Sequence, residues 1–271
     1  MDPCSRYTEP FMQDSLFLIT GASRGIGRAT AVALARAGSR VIAVGRDSEA
    51  LSETMALGAG RIVGVEADIT VGLARAEIRR AVARRPLAGL LHGAGIFPRG
   101  RLETLDLEQW RMAMATNLDA RLHLVMDLRE SLVGGRVLFP GSDASRQPRP
   151  GGAAYSVSKV ASEMLWRCLC LELGDRIGFA IAKPGLVETR MLTDSLSASP
   201  EDFPAREVYV GMAERGETIA VETIGAFFAW LLLEVPDSEF HGSEWDVRDP
   251  EHHHRWLQGD LYSGHFRGAG G

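Results

Sequence analysis

Three features of this sequence predict a single doubly wound α/β domain, with a parallel β-sheet flanked by helices. Short apolar runs alternate with longer helical stretches along most of the 271 residues. Most of those runs are apolar on both faces, as strands covered by helices on both sides must be. A glycine-rich turn follows the first run and opens the first helix, where such sheets hold an anion. The length suits one large domain, and no repeat or linker divides it.

The elements follow in order. SLFLIT (15–20), RVIAVG (40–45), RIVGVEA (61–67), AGLLHGAG (88–95), GRVLFPG (135–141) and IGFAIAKPG (177–185) are predicted as strands. The first helix ends at Gly38, a glycine suited to a C-cap. A second helical stretch carries Trp110, Met114, Leu118 and Leu122 four apart, one apolar stripe. A third runs from about Ala153 to Leu173. This βαβ alternation implies right-handed crossovers. FFAWLLLEV (227–235) reads as a buried helix, too short for the roughly 18 apolar residues that span a bilayer. RQPRPGGAA (146–154) precedes a helix and is expected to be an active-site loop, and residues 188–217 break the alternation like a mobile lid. Residues 1–14 are expected to be a flexible leader without the pattern of a signal peptide, 15–247 the domain, and 248–271 an extension disordered from about 260.

Composition narrows the function. The chain is 45% hydrophobic and 24% charged, as soluble globular proteins are. A net charge of −5 gives no general attraction to nucleic acid or an anionic membrane. Cys4, Cys168 and Cys170 are odd in number and lack a framework spacing, which predicts reduced thiols and a cytoplasmic protein. His252, His253 and His254 are adjacent and cannot easily face one ion, so no metal site is expected there. That segment is expected to be packed or solvated.

The first half carries the cofactor signal. Thr20-Gly21-Ala22-Ser23-Arg24-Gly25-Ile26-Gly27 follows the first strand, and its glycines let a pyrophosphate approach the backbone and the helix N-terminus. At the end of the second strand, an acid would accept bonds from a free ribose 2′-hydroxyl. This chain has Gly45 there and Arg46 next. Arg46 and Arg24 are placed to converge on a 2′-phosphate, which predicts NADP(H) over NAD(H). Asp47 is placed either to pair with Arg46 or to reach the ribose.

The second half carries the proton chemistry. Tyr155 and Lys159 are four apart near a helix start and share a face. An ordinary tyrosine has a pKa near 10, and a fixed ammonium nearby favours the phenolate. Lowering that value by about three units takes roughly 4 kcal/mol. Ser142 follows a strand, where a loop could turn its hydroxyl to the same substrate oxygen.

With these motifs in order, the sequence resembles the classical short-chain dehydrogenase/reductase family over roughly residues 15–247. The resemblance rests on TGASRGIG (20–27), Asp68 in EADIT, HGAG (92–95), Asn117 in ATNLDA, Ser142, YSVSK (155–159) and KPGLVET (183–189). It implies a Rossmann-type fold and a bound nicotinamide cofactor. Tyr155 would then be the general acid in reduction and the base in oxidation. Ser142 would hold the substrate oxygen. Lys159 would bind the nicotinamide ribose and lower the Tyr155 pKa. Asn117 would interrupt its helix and hold a water of a proton relay. The cofactor would rest on Gly21, Ser23, Arg24, Gly25, Ile26, Gly27, Arg46, Asp68, Ile69, Ala94, Gly95, Tyr155, Lys159, Pro184, Gly185, Val187 and Thr189. One departure stands out: the family commonly has Asn where this chain has Gly93, which removes an amide and is expected to weaken cofactor binding unless backbone or water substitutes. His92 is read as a packed strand residue.

The expected function is transfer of hydride between NADP(H) and a small-molecule ketone, aldehyde or secondary alcohol. Alternatives are reduction of an activated C=C bond or an acyl-carrier substrate, or non-catalytic NADP(H) sensing. The helices carrying Asn117 and Tyr155 are more apolar than one sheet face needs, and the resemblance implies a homodimer or homotetramer.

Overall fold

A computed structural model describes residues 14–264. Seven parallel strands form one sheet in the order β3-β2-β1-β4-β5-β6-β9. In chain order the strands are β1 (Leu16–Thr20), β2 (Arg40–Gly45), β3 (Ile62–Glu66), β4 (Gly89–Leu91), β5 (Arg136–Pro140), β6 (Gly178–Lys183), β7 (Leu186–Val187), β8 (Thr218–Ile219) and β9 (Glu244–Asp246). β7 and β8 make a separate parallel pair. β1 is buried along its whole length, which explains why LFLIT carries no polar alternation.

Helices α1 (Gly25–Arg36), α2 (Ser48–Ala56), α3 (Gly72–Val82), α4 (Leu107–Met114), α5 (Ala120–Leu128), α6 (Ala153–Leu173), α7 (Arg190–Leu196), α8 (Arg206–Glu214), α9 (Val221–Leu233), α10 (Asp237–Phe240) and α11 (His253–Trp256) complete the fold. Two apolar cores lie on opposite faces of the sheet. One gathers Phe17, Ile19 and Leu91 with Leu34 of α1 and Phe227 and Leu231 of α9. The other gathers Leu18, Leu90 and Phe139 with Leu124 of α5 and Trp166 of α6. Alternate residues of one strand thus feed different cores, as the two-residue period requires.

The strand order reverses between β1 and β4, so the crevice outside the carboxyl ends of these strands is the natural ligand site. The glycine-rich turn leaves β1 there, and Ser142 and Pro184 leave β5 and β6 on the same edge.

Three expectations need correction. β4 ends at Leu91, so Gly93–Gly95 are not strand. A Cβ at Gly93 would lie 2.4 Å from the Thr20 carbonyl oxygen and 3.3 Å from Gly27 Cα. An asparagine there needs the backbone to move, so glycine suits this packing. Second, the stripe Trp110, Met114, Leu118 and Leu122 does not face the core. These residues are half-buried or exposed, and Ala113, Asn117, Ala120, Leu124 and Leu128 face inward instead. The path between α4 and α5 is a π turn at Ala115–Asp119, which shifts the inward face. Third, β9, β7 and β8 were not foreseen, because runs of two or three residues carry no readable period.

The apolar run 227–235 supplies buried Phe227–Leu232 of α9. The C-terminal extension folds onto the body through residue 264. His252 is buried, with Nε2 3.0 Å from the Asp246 carbonyl oxygen, and its Nδ1 accepts from Trp256 Nε1 at 2.8 Å. His253 Nε2 lies 2.7 Å from the Val247 oxygen, and His254 is exposed. Ser263 Oγ donates to the Thr218 carbonyl at 3.1 Å. The leader through residue 13 and residues 265–271 lie outside the described residues. Among the described residues no helix is long and apolar enough to cross a membrane.

Candidate active site

The glycine-rich turn is held by its neighbours. Gly21 has φ +65°, and a Cβ there would meet the Ala94 nitrogen at 2.6 Å, so close passage of the segment after β4 needs glycine. Ala94 N–H donates to Thr20 Oγ1 at 3.2 Å. Arg28 ties the turn to α2, donating to the Ser23 carbonyl at 2.5 Å and to Thr54 Oγ1 at 3.0 Å. No side chain caps the N-terminus of α1, and no acid stands in its first turn. Free N–H groups and the positive dipole end there suit a phosphate.

The strand ends beside this turn are joined by backbone bonds from Ala22 N–H to the Val44 oxygen and from Ala67 N–H to the Gly45 oxygen. These bring Arg24, Arg46 and Asp68 to one rim. Arg24 pairs with Asp47 at 2.7 Å, and Arg46 approaches Asp68 at 3.7 Å. Asp47 therefore meets Arg24, not Arg46, and also caps α2 by accepting from Ala50 N–H at 3.0 Å. Burial alone would raise the Asp68 pKa. Bonds from Thr70 and the charge of Arg46 outweigh it and hold the carboxyl below its ordinary value. Ile69 is buried, and its carbonyl accepts from Arg75 at 3.0 Å.

A deep pocket opens at the switch point. Its walls include Ile26, Ala94, Gly95, Ser142, Tyr155, Lys159, Pro184, Gly185, Val187 and Thr189. Thr189 Cγ2 stands 3.6 Å from where a Cβ on Gly25 would lie, so the segment after β6 reaches the glycine turn. Arg24, Arg46, Asp68 and Ile69 lie outside this pocket, along the rim just described. Asn117 lies behind the pocket wall. Its amide clamps Ile96, accepting from Ile96 N–H and donating to its carbonyl, each at 2.9 Å, and donates to Ser158 Oγ at 2.9 Å.

Tyr155 and Lys159 lie one turn apart on α6. Burial pushes the Tyr155 phenol up to about 12, against a bond from Ser142 and the charge of Arg121. Lys159 Nζ lies 5.4 Å from the Tyr155 ring centroid and donates to the Pro140 carbonyl at 2.9 Å. Burial drives Lys159 well below its ordinary value, and Arg121 adds to this. Ser142 Oγ accepts from Ala144 N–H at 3.2 Å in a short 3-10 turn.

Several pocket residues were not picked out from the sequence. Phe97 stacks on Tyr155 with ring centroids 4.3 Å apart. Arg99 lies 4.8 Å over Phe97 and fixes the loop by donating to the Met191 carbonyl at 2.6 Å. Arg248 bridges to Asp143 at 2.9 Å and to Asp246 at 2.6 Å. Tyr209 and Met212 of α8 line the pocket, as do Met191 and Leu192 of α7. The segment expected as a lid thus forms part of the pocket wall, as does Arg149 of the expected active-site loop. Aromatic and arginine residues in loops have no periodic signature, though Phe97 could have been flagged by its position just past HGAG.

The short chain dehydrogenase family matches residues 15–199, and the chain belongs to that family. It is 31% identical over 216 residues to the 2,3-dihydro-2,3-dihydroxybenzoate dehydrogenase of Bacillus subtilis, covering 76% of this chain and 82% of that one. It is 28% identical over 220 residues to the 3-oxoacyl-(acyl-carrier-protein) reductase of Pseudomonas aeruginosa, covering 77% and 88%. Among solved structures, one described as an NAD(P) dependent gluconate 5-dehydrogenase of Beutenbergia cavernae, with NADP bound at low occupancy, matches with a TM-score of 0.76. That match is at 30% identity and covers 88% of this chain and 97% of the other. The chain is an oxidoreductase of this family, and the family binds a nicotinamide cofactor.

Proposed function

We propose that this oxidoreductase transfers hydride between NADP(H) and a ketone, aldehyde or secondary alcohol. The observation that carries the reading is the convergence of Ser142, Tyr155 and Lys159 on one pocket that also reaches the glycine turn. The uncapped start of α1 would seat the pyrophosphate, and Thr189, Val187 and Gly185 the nicotinamide end. When bound, the nicotinamide supplies or accepts the hydride. Ser142 orients the substrate oxygen, and Tyr155 gives it a proton in reduction or takes one in oxidation. A phenol held up near 12 keeps its proton at neutral pH, which suits the donor role. Asn117 holds Ile96 and Ser158 in place behind Lys159 and is assigned to the proton relay.

The NADP(H) preference is supported by Arg24 and Arg46 at one rim, with no acid at position 45. The NADP in the gluconate 5-dehydrogenase-like structure agrees with it. Phe97, Met191, Leu192 and Met212 give the substrate end an apolar side, with Tyr209 and Arg149 beside it. The test is a panel of carbonyl compounds followed by loss of NADPH absorbance. Consumption with at least one ketone or aldehyde is expected, and consumption only with activated alkenes would favour C=C reduction instead.

The protein is further proposed to form a homodimer or homotetramer and to reside in the cytoplasm. Val157, Val160, Met164 and Leu171 are exposed along one side of α6, three to seven residues apart. Leu107, Met112 and Leu122 are exposed on α4 and α5. An apolar helical face of this kind is covered most simply by its own copy around a two-fold axis. Light scattering at micromolar concentration is expected to give the mass of at least two chains; a monomer would contradict this.

A further inference from the structure

Arg121 on α5 is 1% exposed, although it carries a charge. It lies one helical turn past Asn117. Its Nη1 donates to Ser162 Oγ at 2.7 Å, and Ser162 lies one turn past Ser158, which accepts from Asn117 at 2.9 Å. Two polar rungs therefore cross from the π turn and α5 to α6, one behind Lys159 and one beyond it. The guanidinium carbon also lies 5.7 Å from the Phe139 ring centroid. Among the described residues Arg121 has no carboxylate partner, and its Nε has no hydrogen-bond partner. A methionine or leucine would pack against Phe139 without the cost of burying a charge. A purely structural role gives no reason for the guanidinium.

Its position gives one. Arg121 shares the pocket wall with Tyr155, Lys159 and Ser142. We propose that Arg121 is a positioning residue for proton transfer at Tyr155: a buried guanidinium, locked by Ser162 and Phe139, that stabilises negative charge on the Tyr155 oxygen.

The surrounding charges support this. Burial lowers Arg121 only to about 10, so it stays a cation at neutral pH. His92, beyond β4, is buried beside Phe139, and burial together with Arg121 holds it neutral. Asp143, beyond β5, is taken by Arg248, and Lys183 of β6 pairs with Glu244 at 2.6 Å. Tyr209 of α8 opposes ionisation of Tyr155, and Ser142 favours it by a hydrogen bond. Arg149 lines the outer pocket and bonds Gln147 at 3.1 Å. Arg121 is thus a buried cation on the same pocket wall, and its charge favours the Tyr155 phenolate.

The proposal rests on Tyr155 as the proton donor, and the test separates the two. Arg121→Met and Arg121→Lys are compared with the parent in alcohol oxidation across pH, with saturating NADP⁺. In the Met variant the acid limb of kcat is expected to move up by about one pH unit or more, with the high-pH plateau nearly kept. The Lys variant restores the limb. A folded Met variant with an unmoved limb, or equal losses at every pH in both variants, overturns the proposal. If the Met variant does not fold, Arg121→Gln, which keeps a donor for Ser162 without the charge, is read in the same way. Phenolate absorbance of Tyr155, taken as the difference from a Tyr155→Phe background, gives a readout without a substrate. A shift there with no turnover rejects the reaction and keeps the role of Arg121. Turnover with an unshifted phenol rejects Arg121.

Discussion

Tyr155→Phe should lower turnover by roughly two to four powers of ten while leaving NADPH binding near the parent value. The substitution keeps the ring that stacks on Phe97 at 4.3 Å and removes only the transferable proton. General acid catalysis contributes about that range of rate. The side chain is half-buried, and loss of the hydroxyl also ends its bond with Ser142. The affinity for NADPH, read by fluorescence titration, distinguishes this from a folding defect. Near-normal turnover in the folded variant would remove Tyr155 from the mechanism.

Arg46→Ile should weaken NADPH binding by about tenfold and leave NADH binding nearly unchanged. A charge-assisted contact is worth roughly 1.5–3 kcal/mol when well formed. The Arg46 side chain is 64% exposed, so solvent screening puts its share at the low end. Arg24 is engaged with Asp47, but that pair is also exposed, and exposed pairs contribute only about 0–1 kcal/mol. A 2′-phosphate dianion can therefore draw Arg24 away at little cost. Adding Gly45→Asp should reverse the preference by setting a carboxylate against the phosphate. A Cβ there meets Ser23 Cβ at 3.0 Å and its Oγ at 3.1 Å, so Ser23 must give slightly, and the single variant is the cleaner measurement. Equal affinity of the parent for NADH and NADPH would move attention from Arg46 to Asp47.

Much of this arrangement is written in local patterns. β2 was bounded as Arg40–Gly45 from RVIAVG, and α6 as residues 153–173, because a run apolar on both faces and a long helical period need no tertiary context. The glycine turn and the Tyr155–Lys159 spacing were equally plain, since backbone approach and shared helix faces depend on short spacings. The missed parts depend on partners distant in sequence. Leu122 is exposed because the π turn at 115–119 rotates α5 relative to α4, and a period count assumes a regular helix. Nothing in the sequence singles out Arg121, because its buried partner, Ser162, lies 41 positions away. Gly93 reads in the sequence as a missing amide that weakens cofactor binding unless backbone or water substitutes, and the Thr20 carbonyl that leaves no room for a side chain there is not readable from it. The burial that raises Tyr155 was likewise invisible, because it comes from the whole pocket.

The most direct test of the account follows the hydride itself. NADPH carrying deuterium at its transferable position is incubated with the protein and a responsive ketone or aldehyde, and the product is weighed by mass spectrometry. The account predicts one deuterium on the carbinol carbon, with the label delivered to one face, and almost none in the Tyr155→Phe variant. NADPH that binds while the label reaches no product from any carbonyl compound, or reaches only a saturated carbon of a former C=C bond, would contradict it.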